Sequence, residues 1–279
     1  MDIVAYCADL VRQRDPDRYF ADLFAPQEAR RHLFALHAFN AEIARIRDIT
    51  SEPLPGEIRL QWWRDALRAG EAGGHPVGVA LLETIRAFGL PLSAFEALLE
   101  ARIFDLYNDP MPDLSRFEGY AGDTTSALFQ LAALILAEGQ DPGSADAAGH
   151  GGVAYALTGV LRHLPIHARR RQLFLPADTL AAHRVDAEDI FAGKIRTSLT
   201  AALADLRAIA RAHLAQSQKA IAALPEALAP AFLPLELVAP YLRRMEKPGY
   251  EPFGPPVELP QWHRHWILWR AARRGPRMA

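Results

Sequence analysis

Apolar residues recur at i, i+3, i+4 and i+7 along almost the whole chain, the spacing that gathers them on one side of an α-helix. Val4, Cys7, Ala8 and Val11 open the series. Leu36, Phe39, Ile43 and Ile46 form a second stripe, behind a helix start at Pro26-Gln27-Glu28. Pro53 and Pro55-Gly56 interrupt the chain; Leu60, Trp63, Ala66 and Leu67 begin a new helix, and Gly73-Gly74-His75-Pro76 ends it. Helices are predicted over 77–88 and from Leu92 to Leu106, before a loop around Pro110-Met111-Pro112. Phe117 to Ala137 reads as one apolar helix, followed by a turn from Gly139 to Gly143. Val153, Leu157, Val160, Leu161 and Leu164 give a stripe that runs up to Pro165. Residues 198–224 predict a long Ala-rich helix with Leu199, Leu203, Leu206, Ala210 and Leu214 inward, and Pro225, Pro230, Pro234 and Pro240 punctuate the segment after it. No useful stretch alternates with a period of two, no repeat emerges, and no linker divides the chain. The pattern predicts an all-α, single-domain protein over residues 1–279.

Composition narrows the class. Half of the 279 residues are hydrophobic, enough for a large core. With 31 Lys+Arg against 33 Asp+Glu the net charge is −2, which argues against general nucleic-acid binding. One cysteine, Cys7, rules out an internal disulfide and a Cys-rich metal site, and fits a reducing compartment. No uncharged apolar run reaches the ~18 residues that a membrane span requires. The opening MDIVAYCADLVRQRDPDRYF carries early acids and no apolar run, so neither a secretory signal nor a basic transit peptide is expected there.

Two polar faces stand out as places for chemistry. Asn40, Ala44 and Asp48 fall four apart, beside the stripe of Leu36, Phe39, Ile43 and Ile46. Gly159, His163 and His167 share a second face, and two such helices can oppose each other across a central cavity. The i, i+4 spacing of His163 and His167 suits two imidazoles on zinc. Pro165 between them and the lack of a third ligand nearby in sequence favour polar histidines at a helix end, so no metal is expected. Arg45, Arg47, Arg162, Arg169, Arg170 and Arg171 are candidates for holding an anion without metal. For Arg45 and Arg47 the competing reading is a solvated face.

Residues 30–39, RRHLFALHAF, resemble the RR-x-x-x-ALYAF helix of the squalene/phytoene synthase family. GVAYALTGVLRHLPIHARRRQLFLP, from Gly152 to Pro176, resembles that family's G-x-A-x-Q-L-T-N-I-L-R-D-x-x-x-D-x-x-R-G-R-x-Y-L-P segment. Arg102 with Asp105-Leu106, Tyr120 and Trp62-Trp63-Arg64 also fit, and the likeness covers roughly 5–245. It implies an isoprenoid-synthase-type helical bundle around a central cavity. It also implies the chemistry such enzymes perform, in which paired Asp-rich motifs hold Mg²⁺ against a prenyl diphosphate. This chain departs from the pattern where that chemistry resides. The first motif, D-D-x-x-D, reads Ala44-Arg45-Ile46-Arg47-Asp48, with only its last acid kept. The second has His163 and His167 in place of its acids, and Ala156 and Gly159 in place of the preceding Gln and Asn. Asp123 to Phe129 replaces a run of small residues, V-A-G-x-V-G. Asn40, Ala44, Arg45, Asp48, Gly159, Arg162, His163 and His167 are thus expected to mark a vestigial diphosphate site, with no catalytic residue and no cofactor. Mg²⁺ would enter only if the chain were an active head-to-head prenyl transferase.

The departures resemble a non-catalytic branch of the family, that of the mitochondrial complex I assembly factors. The resemblance lies in AFNAEIARIRDITSE (Ala38–Glu52), in Glu57 to Arg64, in Leu161 to Pro176 and in Trp269-Arg270. It implies a bacterial counterpart that acts on subunits or assembly intermediates of respiratory complex I, peripheral on the inner face of the cytoplasmic membrane. The Trp/Arg-rich segment 258–275 adds a feature of its own. Trp262, Trp266 and Trp269 alternate with Arg264, Arg270, Arg273 and Arg274, as in interfacial helices, though tryptophans also cap bundle cores. Isoprenoid or lipid binding in the old cavity is the remaining alternative.

Overall fold

A computed structural model describes residues 2–50 and 52–274. Met1 and 275–279, at the ends of the expected domain, and Ser51, within the Ala38–Glu52 stretch, lie outside the described residues. Helices connected by short turns make up the architecture, with no strand among the described residues. Local chemistry sets the helix ends. Asp2 caps Ile3–Arg14 by accepting from the Val4 and Ala5 amides at 3.0 and 3.2 Å. Prolines open Pro53–Ala69 and Pro76–Phe88, where a missing N–H costs nothing. Gly70 and Gly89 close those two helices with φ of 71° and 59°, left-handed values that a Cβ would strain.

The longest pairing in the fold joins Ala145–Arg162 to Thr197–Ile221. Gln27–Ala44 packs on Ile3–Arg14, Pro76–Phe88 and Ala127–Leu136. The predicted stripes are the ones buried: Leu36, Phe39, Ile43 and Ile46; Leu60, Trp63, Ala66 and Leu67; Leu199, Leu203, Leu206, Ala210 and Leu214. Phe39 is fully enclosed, edge-on to Trp63 at 5.1 Å and to Phe95 at 5.8 Å. Val4 departs from its stripe and faces solvent, while Ile3 beside it packs against the core.

Two predicted helices are broken, and a third ends near Pro165 as expected, each next to the central cleft. Gln27–Ala44 stops at Arg45 and resumes as the short Ile46–Ile49, so Asn40, Ala44 and Asp48 do not share one continuous helix. The stripe from Val153 ends at Arg162; His163 is the break, and Pro165 begins Leu164–Arg169 because proline cannot continue the preceding hydrogen-bond ladder. The apolar run after Phe117 divides into Leu114–Ala121, a π-turn at Gly122–Ser126, and Ala127–Leu136. Against that π-turn lies Gly152: a Cβ there would sit 2.5 Å from both the Ser126 nitrogen and Cα.

A second polar system is buried where Pro16–Asp22 meets Gln27–Ala44. Arg18 and Asp15 pair at 2.6 Å, and His37 Nδ1 and Asp22 lie 2.8 Å apart. Arg264, from the C-terminal helix Gln261–Arg274, donates to Asp17 at 2.7 Å and closes the two ends of the chain on each other.

Candidate functional site

Between Gln27–Ala44, the π-turn, Ala145–Arg162 and Leu164–Arg169 lies an open cleft of about 480 Å³. Ala44, Arg47 and Asp48 line one wall; Gly159, His163, His167 and Arg170 line the facing wall. Ala44 and Asp48 of the first inferred face and Gly159, His163 and His167 of the second line one cleft, while Asn40 is not among its lining residues and accepts from Arg102. Thr124 and Thr125 of the π-turn point into it, whereas Leu128 and Phe129 turn away into the core, where Phe129 stacks on Phe232 at 6.0 Å. A π-turn commonly re-aims side chains at functional sites, and here it brings Thr124 and Thr125 to the lining, with the Thr124 hydroxyl donating to the Tyr120 carbonyl at 2.6 Å.

The floor is a hydrogen-bond network centred on Arg102, whose buried Nε has no partner among the described residues. Arg102 donates to Asp105 at 2.9 Å, to Tyr120 at 3.2 Å and to Asn40 at 3.3 Å. Tyr120 donates to the other Asp105 oxygen at 2.7 Å, and Gln172 donates to the Asp105 backbone carbonyl at 3.0 Å. Burial opposes the Arg102 charge, but Tyr120 and Asp105 outweigh it and hold the guanidinium above its ordinary pKa. Burial beside Asp105 pushes the Tyr120 hydroxyl well above its usual range, so it remains a donor.

At the mouth, Arg170 donates to Asp48 at 2.8 Å. The one acid retained from the first motif is thereby satisfied by an arginine from the second segment. Arg47 also lines the cleft, and its buried Nε has no hydrogen-bond partner among the described residues. The other candidate arginines are occupied or point elsewhere. Arg45 reaches Glu42 at 3.4 Å, and Arg162 donates to Glu258 and to the Val257 carbonyl, each at 3.0 Å, beneath the Tyr241 ring. Arg171 pairs with Glu188 and covers Phe191, and Arg169 is exposed. Of the six, the fold brings Arg47 and Arg170 to the cleft. The other four are not among the residues that line it.

The histidines are neutral lining groups. His163 Nδ1 donates to the Gly159 carbonyl at 2.9 Å. Burial, reinforced by Arg162, lowers its pKa. Burial, with help from His163 and Arg170, depresses His167 to about 4, and its Nδ1 has no partner among the described residues. The His163 and His167 rings lie 6.3 Å apart, and His167 packs on Phe174 at 4.8 Å.

Mg²⁺ requires several oxygen ligands in near-octahedral array. The carboxylates lining the cleft are Asp48 and Asp105, each already held by an arginine, while imidazoles occupy the facing positions. Among the described residues no three His, Cys, Asp or Glu side chains gather to hold a metal ion. The donor set does not fit the metal cluster that the fold implies. From the sequence, Arg102, Asp105 and Tyr120 are only points of resemblance and are not expected in the site, nor are Thr124, Thr125, Gln172 and Phe174. The i, i+3 spacing of Arg102 and Asp105 was the available signal for that pair.

An all-helical bundle with a central cleft between facing helices, lined where acids would be expected by Ala44, His163 and His167, defines an isoprenoid-synthase-type fold with an altered site. Residues 11–270 match the squalene/phytoene synthase family, and the chain belongs to that family. It is 30% identical over 256 residues to the bovine (Bos taurus) NADH dehydrogenase (ubiquinone) complex I assembly factor 6, covering 91% of this chain and 77% of that protein. A phytoene synthase from Thermus thermophilus is 26% identical over 276 residues, covering 96% and 93% of the two chains. The crystal structure of a squalene synthase from Alicyclobacillus acidocaldarius superposes with a TM-score of 0.79 at 20% identity, covering 90% of this chain and 95% of the other, which shows the shared fold.

Proposed function

We propose that this chain is a non-catalytic member of its family that acts in assembling the respiratory NADH:quinone oxidoreductase, complex I. The observation that carries the reading is the 30% identity to assembly factor 6 across 91% of the chain. The cleft supports it: Arg170 neutralises Asp48, Arg102 neutralises Asp105, and neutral histidines stand opposite, so little negative charge is left to gather divalent metal. Its partners would be complex I subunits or assembly intermediates, met at the inner face of the cytoplasmic membrane. Deleting the gene and measuring assembled complex I with its NADH:quinone activity tests this; a wild-type level of assembled enzyme would overturn it.

A second reading is favoured by the cleft itself. Its 480 Å³ and the apolar lining of Ala156, Val160 and Phe174 suit an isoprenoid or lipid tail, with Arg47 near a polar end. Native mass spectrometry after exposure to lipid extract tests it, and a protein that stays empty would overturn it.

A further inference from the structure

Three of the five tryptophans sit on the Gln261–Arg274 helix, and they are turned outward: Trp262, Trp266 and Trp269 are 72, 46 and 42% exposed. Their spacing of four and three residues places them on one stripe. The Arg270 guanidinium lies over the Trp266 ring at 5.0 Å, and that of Arg273 over Trp269 at 4.5 Å, so positive charge is held on the stripe itself.

The opposite side of the helix fixes this orientation. Leu268 is fully buried, Arg264 is tied to Asp17, and His265 stacks on Phe20 at 4.3 Å. The inward contacts are thus made by other residues, and the tryptophans do not cap the core. The helix carries Arg264, Arg270, Arg273 and Arg274 and no Asp or Glu. No helix among the described residues is long and apolar enough to cross a membrane.

We propose that this face docks flat on an anionic lipid bilayer. Indole rings favour the boundary between headgroups and acyl chains, where an apolar body and an N–H are both accommodated. Arg270, Arg273 and Arg274 would meet the lipid phosphates, and the absence of acids on the helix removes the opposing repulsion. A protein interface places its aromatic anchors centrally with charges towards the rim. Here the guanidinium groups lie over the rings, an arrangement that suits phosphates above an apolar layer. The inference rests on this helix and not on the assembly reading: vesicle binding can fail while assembly stands, and the reverse.

Flotation of the purified full chain with phosphatidylcholine vesicles, alone or mixed with phosphatidylglycerol, tests the proposal. The protein is expected to float with the mixed vesicles, to stay behind with neutral ones, and to be released by high salt. W262A/W266A/W269A and R270E/R273E each lower partitioning by about tenfold or more while leaving thermal melting unchanged, since all five side chains face outward. A wild-type chain that ignores anionic vesicles would overturn the proposal. So would a tryptophan variant that floats like wild type, or salt-insensitive floating shared by R270E/R273E.

Discussion

Arg170 and Asp48, 122 residues apart in the chain, meet at 2.8 Å across the mouth of the cleft. The pair links the two walls of the cleft directly. Its side chains are 45% and 54% exposed, so water screens it. Asp48→Ala and Arg170→Ala should each cost under about 1 kcal/mol, with a double-mutant coupling of roughly 0.2–1 kcal/mol in urea unfolding. A coupling several times larger would mean the strut is shielded from solvent.

The buried floor behaves differently. Asp105→Ala strands the Arg102 guanidinium in a desolvated site and should cost about 3–5 kcal/mol. Tyr120→Phe removes one donor and leaves the ion pair, for about 1–2 kcal/mol. Chemical denaturation of both variants checks the order; the reverse order would show that the phenol, not the carboxylate, compensates Arg102.

Gly152→Ala forces a methyl against the Ser126 backbone in the π-turn. Backbone yields less readily than a side chain, so a loss of about 1–3 kcal/mol is expected. A melting temperature equal to wild type would show that the two helices can separate freely.

Acid should weaken the fold through His167. Its folded pKa of about 4 lies below the ordinary value of 6.5, so the unfolded chain binds the extra proton first. Stability is fully present above about pH 6.5 and falls as pH drops towards 4, by up to roughly 3 kcal/mol. His167→Gln should flatten that part of the pH profile. An unchanged slope in the variant would assign the acid sensitivity to other groups.

With the carboxylates already paired, millimolar MgCl₂ should leave the melting temperature unmoved, because only a ligand that binds the folded state raises it. Incubation with farnesyl or geranylgeranyl diphosphate and Mg²⁺ should release no pyrophosphate above a blank. Release that depends on Asp48 would identify the cleft as a working prenyl-transfer site.

Much of the fold was legible because burial in a bundle imposes helical periodicity. Leu36 to Ile46 and Leu199 to Leu214 are buried as their spacing demands. The site was legible in its loss, since Ala44, His163 and His167 stand at positions where a resembling segment carries other residues. Periodicity could not show the break at Arg45, because the apolar stripe from Leu36 to Ile46 runs on in register through it, whereas Pro165 marks the break at His163. Nor could composition tell a free arginine from a paired one: Arg162 and Arg170 are eight residues apart, yet one lies beneath Tyr241 and the other closes the cleft. Such pairings depend on loops that return from distant parts of the chain.

The contact between Arg264 and Asp17 sets a schedule for biosynthesis. Asp17 is almost wholly enclosed, and its partner lies 247 residues later. At ribosomal rates of 5–20 residues per second, the N-terminal helices wait about 12 to 50 s for the cation that neutralises them. A chain truncated before residue 264 would leave Asp17 without the guanidinium that it accepts from.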